Sequence, residues 1–431
     1  MTVQRPYIDD LTYFLDASPV NFGAVQSIEQ ILRNAHFRKL DPKEKWTFEP
    51  GGEYYLTKNS SAIFAFRIGC GIPEGYHIIS AHSDSPGFRI KPNAAMATEG
   101  GVVKLDVEVY GGPILYTWFD RPLSIAGRVI LRGVSPMSPV TEYVDFRRPL
   151  LTIPHLAIHF NRSVNEGNPL SKQKDMLPVI GIIKDACEAE NLIPDLICKK
   201  LGCKKEDILD FDLSLYDTTK ASRLGVNDEF ICSGRLDDLS MVHAALTALL
   251  ESKHSPHTQV MAIFDNEETG SGTKQGAASP TLEHILRRIN IASGGSEEDF
   301  YRQLADSFMI SADNAHAFHP NYPEKYDPAN HPKINGGPVI KINANCKYMT
   351  DADSAAVYRT ICERAGVRYQ YFVNHSDVAG GSTLGNILTS HIDIRGVDMG
   401  AAIWAMHSCR ETAGAADHEM IIKSFIEFYN L

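Results

Sequence analysis

The sequence predicts an α/β protein: a central, mostly parallel sheet flanked by helices, with an inserted β-rich domain. Three observations support this. Helical and strand-like patterns alternate along 239–312, the order that builds a largely parallel sheet. A block between Gly100 and Ser233 shows short amphipathic runs of period two instead. At 431 residues the chain exceeds the length at which one core stops growing, so two domains, or one domain with a large insertion, are expected.

The elements follow in order. Leu11, Phe14 and Leu15, then Val25, Ile28, Ile31, Leu32 and Ala35, recur at helical spacing on either side of Ser18-Pro19 and predict two amphipathic helices within 8–37. From Ser61 the apolar runs 62–68 and 76–81 predict neighbouring buried strands joined by a turn at 71–75. Lys104, Asp106 and Glu108 alternate with Leu105, Val107 and Val109, the mark of a strand with one wet face. Further β-like runs lie at 127–132 and around Ile231, so the block between Gly100 and Ser233 reads as a separate module. After it come a helix over 239–250, a strand over 259–264, a helix over 282–291 and a strand over 308–312. No internal repeat is evident, which removes solenoids and propellers.

Composition narrows the function classes. Hydrophobic residues at 43% and charged residues at 22% are ordinary for a folded, soluble chain. A formal net charge of -11 argues against nucleic acid or an acidic membrane surface as partner. No run approaches the roughly 20 apolar residues that span a bilayer, and the start MTVQRPYIDDLTYF lacks an apolar leader, so a cytoplasmic location is expected. The eight cysteines are scattered without a C-x-x-C and are expected to be reduced and structural. Cys198 and Cys203 lack a second Cys/His pair at zinc-finger spacing.

Five strand-like runs share one feature: they end in metal-capable side chains. They close on His82 and Asp84, on Asp237 and Asp238, on Asp265, Glu267 and Glu268, on Asp313, and on His407. Ligands gather at the carboxyl ends of strands in an open α/β sheet, so the five can converge. Two histidines and three carboxylates, one of them shared, suit two adjacent zinc-like ions with a position open for water. Hydrolysis is the reaction such a pair serves. One member of the Glu267-Glu268 pair would then bind metal while the other moves protons. Each residue alone has a blander account: Asp237-Asp238 can cap the helix that follows, Glu267-Glu268 can be a solvated turn, and His82 can be an ordinary core histidine.

Through these residues the chain resembles the M18 metallopeptidases, the aspartyl aminopeptidase family. The motifs SAHSDSPGFRIKP (80–92), YTWFDRPLSIAGRV (116–129), PHLAIHFNR (154–162), GRLDDLS (234–240), DNEETGSGTKQGAAS (265–279), ADNAHAFHPNYPEKY (312–326) and MHSCRE (406–411) occur in the family's order. The resemblance implies a zinc-peptidase type fold in which 93–235 is a dimerisation domain inserted into a discontinuous catalytic domain of 1–92 and 236–431. It implies that Asp237 bridges two metals, that His82 and Asp313 complete one site and Glu268 and His407 the other, and that Glu267 is the general base. Asp84 would orient the His82 imidazole, and the Asp237–Asp238 peptide would be cis. Two divalent ions per subunit are expected, zinc first, with manganese or cobalt compatible.

The resemblance also implies a homo-oligomer, a dodecamer built from dimers, in which His155 or His159 reaches a neighbouring active site. His316, His319 and His331 would line the substrate cleft, and Gly380, Gly381, Ser382 and Thr383 would bring backbone close to the peptide. Lys347 would meet an acidic side chain. Asn345 stands where acid-preferring members are expected to carry a lysine, so the expected activity is removal of an N-terminal Asp or Glu with relaxed selectivity. The alternatives are an aminopeptidase of broader or neutral specificity, a related zinc N-deacylase or carboxypeptidase, and a scaffold or cargo protein that has lost its chemistry.

Overall fold

The computed structural model describes residues 6–69, 74–183 and 186–431, without the side chains of 186–188. The expected turn at 71–75 begins outside these residues, as do Cys70 and the Cys187 side chain. The chain forms two compact units, one of 1–84, 221–406 and 411–431, the other of 85–220 with 407–410.

The first unit is built on a nine-stranded sheet. Its strands lie in the order Arg38–Lys39, Glu53–Lys58, Ala62–Arg67, Thr258–Phe264, Tyr76–His82, Phe308–Ala312, Arg395–Gly400, Val339–Ile342, Gln370–Val373. The four strands from Thr258–Phe264 to Arg395–Gly400 run parallel. The expected adjacency of 62–68 and 76–81 is corrected: Thr258–Phe264 lies between them, antiparallel to the first and parallel to the second. That strand is buried along its whole length, so it belongs at the centre of a sheet with a neighbour on each side.

Residue alternation sorts the core into two layers. Along Thr258–Phe264, Met261 and Ile263 face one cluster while Val260, Ala262 and Phe264 face the other. Ile79 and Ala81 likewise oppose Tyr76 and Ile78 on the next strand. The helices Tyr7–Ala17, Asn21–Asn34, Leu236–Glu251, Ala352–Arg364 and Asp417–Tyr429 supply apolar faces to the first layer. Thr281–Ala292, Glu297–Ala305 and Leu384–Leu388 supply the second. Glu297–Ala305 starts on a reciprocal capping box between Ser296 and Asp299. Among the described residues no helix is long and apolar enough to cross a membrane.

A five-stranded sheet in the same unit joins Ser222–Leu224, Phe230–Ser233, Glu411–Gly414, Ala402–Trp404 and Ala315–His316. The run around Ile231, expected in the inserted domain, therefore packs with the first unit, because its antiparallel partner is Glu411–Gly414.

The second unit is an antiparallel six-stranded sheet in the order Val140–Asp145, Leu123–Leu131, Ile208–Asp217, Gly87–Ala97, Val102–Tyr110, Val179–Ile182. Val103, Leu105 and Val107 are buried and Glu108 is exposed, as the alternation predicts. Phe88, Ile90, Leu105, Val107, Ile125 and Leu213 form one apolar cluster with Ile193 and Ile197 of the helix Ala186–Leu201. The unit begins at Ser85 and returns at Lys220, inside the expected 93–235 at its far end and ahead of it at the near end. The near shift arises because Gly87–Ala97 pairs from its first residue with Val102–Tyr110. Cys198, Cys203, Cys346 and Cys362 are free thiols.

Candidate metal centre

Parallel register aligns the strand ends. Phe264 pairs with His82, and Ala312 with Met399, so adjacent strands deliver Asp265, His82 and Asp313 to one edge of the sheet. Asp313 is fixed through its own backbone: its N–H donates to the Met399 carbonyl at 2.8 Å. A Cβ at Gly400 would fall 1.9 Å from the Asp313 carbonyl oxygen, so this close approach of backbones requires glycine.

The two aspartates arrive from the start of the helix Leu236–Glu251. Arg235 takes a left-handed conformation, with its guanidinium donating to the carbonyls of Ser18 at 3.1 Å and Leu15 at 3.3 Å. The Asp237–Asp238 peptide is cis, and neither residue has helical dihedrals. The Asp238 carboxylate accepts from the His82 N–H at 3.1 Å and from the Asn314 side chain at 3.4 Å. The Asp237 N–H donates to the Glu411 carboxylate at 3.1 Å.

His82, Asp237, Asp238 and Asp313 are all buried, and each offers a ligand atom within 4.8 Å of the others. His82 stands in the same relation to Glu267 and Glu268, as does Asp237 to Glu268. The His82 Nε2 is 3.7 Å from Asp237 Oδ1 and 4.0 Å from Asp238 Oδ2. Its Nδ1 lies 3.1 Å from the Asp84 carbonyl oxygen and 3.4 Å from Asp84 Oδ1. A proton on Nδ1 shared with Asp84 leaves Nε2 as the lone pair facing the carboxylates.

Asp84 also grips the glutamates. Its Oδ1 accepts from the Glu267 N–H and its Oδ2 from the Glu268 N–H, each at 3.2 Å. The turn bearing them is set by Asn266, left-handed at φ 63° as asparagine tolerates, whose Oδ1 accepts from Thr273 at 2.8 Å and Gln275 at 2.7 Å.

So many buried carboxylates raise one another's pKa. Burial, then the charges of Asp313, Glu268 and Asp84, push Glu267 up to about 8. Burial, then Asp313 and Asp237, lift Asp238 well above the carboxylate range. Burial raises Asp313 too, with Lys341 opposing. Burial alone would lower His82, but Asp238, Asp237 and Asp84 carry it well above its ordinary value. The cluster is short of positive charge, and its donors are one imidazole nitrogen among carboxylate oxygens. That donor set fits divalent zinc-like cations.

The structure thus gathers His82, Asp84, Asp237, Glu267, Glu268 and Asp313. His407 falls in the short segment that packs with the second unit, where its Nδ1 lies 3.2 Å from the Gly112 carbonyl oxygen. His155 and His159 are also in that unit: the His155 N–H donates to Asp120 at 2.9 Å and its ring packs edge-on to Phe119, while His159 is exposed. His316 is exposed on its short strand, with its ring 5.8 Å from that of Phe372. His319 packs against Tyr322, and His331 against Phe318. Gly381 and Ser382 are exposed in the loop before Leu384–Leu388, and Lys347 is exposed.

Two residues at the cluster escaped the sequence reading. Glu411, at the end of MHSCRE, holds the Asp237 amide. Lys341 is buried beside Asp313, and its signal was a lysine inside the apolar run Val339-Ile340-Lys341-Ile342.

The family described as Aminopeptidase I zinc metalloprotease (M18) matches residues 14–429. The chain belongs to the M18 family. A probable M18 family aminopeptidase 2 of Clostridium acetobutylicum is 52% identical over 433 residues, spanning 100% of both chains. Among solved structures, a chain of the Ape4 and Nbr1 complex superposes with a TM-score of 0.94 at 35% identity, covering 98% of this chain and 85% of that one. The S. cerevisiae mApe1 dodecamer gives a TM-score of 0.85 at 26% identity, covering 98% and 96%. This M18 chain is a metalloaminopeptidase, with the α/β fold that the sequence predicts.

Proposed function

We propose that this M18 enzyme is a two-metal aminopeptidase that removes an N-terminal residue, with Asp or Glu preferred, from peptides. The observation that supports it best is the place of Asp237: its ligand atoms lie within 4.8 Å of those of His82 and Asp313 in one group and of Glu268 in another. A carboxylate so placed can bridge two ions. His82 and Asp313 would complete one position and Glu268 the other, where the sequence resemblance adds His407. Zinc is the first expectation, with manganese or cobalt compatible.

When bound, the two cations supply Lewis acidity that polarises the scissile carbonyl and makes water a better acid. Glu267 takes the proton of the attacking water and passes it to the leaving amine. Asp84 holds the His82 ring by Nδ1 and the backbone of Glu267 and Glu268, so base and ligands keep one geometry.

In the same proposal His316, His319, Gly381 and Ser382 contribute to the substrate cleft, and Lys347 attracts the acidic side chain. The S. cerevisiae mApe1 dodecamer supports a homo-oligomer, built from dimers through the inserted domain. His159 is the better candidate to reach a neighbouring subunit, since the His155 ring is already engaged, with Nδ1 2.9 Å from the Leu156 carbonyl oxygen and its edge against Phe119.

The test is turnover of aspartyl, glutamyl and leucyl arylamides, with N-acyl reporters alongside, by protein reconstituted with zinc, manganese or cobalt. The acidic arylamides should be fastest. A preference for leucyl would remove the acidic specificity and leave the aminopeptidase, whereas cleavage of N-acyl reporters alone would make the enzyme a deacylase.

A further inference from the structure

Lys341 sits on Val339–Ile342 in the nine-stranded sheet and is only 2% exposed. Its ammonium lies 3.3 Å from Asp313 Oδ2 and donates to the Asn314 carbonyl at 3.1 Å, with the Tyr348 ring 5.4 Å away. The nearby buried Asp398 is engaged elsewhere: Oδ1 accepts from the Thr383 hydroxyl and Oδ2 from the Met349 N–H, each at 2.6 Å. The ion pair that the lysine makes is with Asp313.

Stability alone is a poor reason to bury this pair, because an apolar side chain of similar volume often serves as well or better. The Asp313 backbone is already fixed by Met399 and by the close approach of Gly400, which leaves the carboxylate as the part of Asp313 that the lysine holds. We propose that Lys341 is a positioning residue for the metal centre: it holds Oδ2 of Asp313 from behind and so turns Oδ1 toward the cluster of His82 and Asp237. This rests on Asp313 being a ligand, as proposed above. Partners behind a ligand typically change metal affinity about 10- to 100-fold when removed. The sign is informative. Deleting a positive charge beside a cation site would by charge alone tighten binding, whereas loss of positioning loosens it.

The experiment is a zinc titration of the chelated full-length chain by competition calorimetry, with circular dichroism checking the fold of each variant. Lys341→Met should bind one zinc about 10- to 100-fold more weakly than the parent. In an Asp313→Asn background the same change should cost no further affinity, because the lysine acts through that carboxylate. Should Lys341→Met fail to fold, Lys341→Gln, which keeps a donor on a chain of similar length, should show a smaller weakening of the same sign. Zinc binding as tight as the parent's, or tighter, overturns the proposal, as does a loss that persists unchanged with Asp313→Asn. If the parent itself takes up no zinc, both this proposal and the metal-centre reading fall, whereas equal tight binding by parent and variant removes only the role of the lysine.

Discussion

Replacing Asp84 with asparagine alters a side chain that serves the turn of Glu267 and Glu268 more than the imidazole. In the parent, two carboxylate oxygens each accept a backbone N–H, from Glu267 and Glu268, at 3.2 Å. An asparagine keeps one acceptor oxygen and turns an amide N–H2 toward the other donor, so one bond is lost and two donors face each other. A hydrogen bond to a charged acceptor contributes about 1.5 to 3 kcal/mol. If the turn must recover that energy to bring Glu267 to the water, kcat/KM falls about 10- to 150-fold. Zinc content should stay close to the parent's, because the nearer partner of His82 Nδ1 is the Asp84 carbonyl oxygen at 3.1 Å, which the substitution retains. Kinetics on an aspartyl arylamide and elemental analysis of the same preparations decide it. A kcat/KM within threefold of the parent would refute the reasoning. Zinc lost in proportion to activity would show that Asp84 acts through His82 instead.

Glu267→Gln should lower turnover about 100- to 10,000-fold while metal content is kept, since it removes a proton acceptor that is not an assigned ligand; metal loss from this variant would reverse the roles of the two glutamates. Chelated protein should melt at a lower temperature as pH rises from 5 to 8. Glu267 at about 8 in the fold exceeds its value of 4.5 when unfolded, so the fold holds the extra proton across that window, and the stability it gives is lost as pH passes the folded value. Scanning calorimetry with and without zinc tests this, and a chelated melting temperature that rises over the window contradicts it. Lys347→Ala should narrow the preference for aspartyl over leucyl arylamides and spare leucyl turnover; an unchanged ratio would place acidic recognition elsewhere.

Much of the fold was legible because its signals are local. Phe308–Ala312 has the predicted bounds, and the helix predicted at 239–250 spans Leu236–Glu251, since each has an apolar layer to face. Strand order was not legible: nothing in 62–81 announces that Thr258–Phe264 enters between two strands that are close in sequence. The five-stranded sheet escaped because its strands, such as Ala315–His316 and Ala402–Trp404, are too short to display a period. At the site, the residues at strand ends stood out as charge after an apolar run. Their supports were less so: Asp84 stood out beside His82, but not its grip on amides 183 and 184 positions away, and Lys341 and Glu411 meet the cluster only through the fold.

The clasp between Glu411 and the Asp237 amide has a consequence in time. Phe230–Ser233, the strand that leads to Asp237, is zipped to Glu411–Gly414, and the helix Asp417–Tyr429 shares a core layer with the helix that begins at Leu236. At ordinary elongation rates a ribosome makes Glu411 on the order of ten to thirty seconds after Asp237. Through that interval the aspartate turn waits for the strand that will fix it. A chain that stops short of 411 would lack both the strand partner of Phe230–Ser233 and the carboxylate that receives the Asp237 N–H.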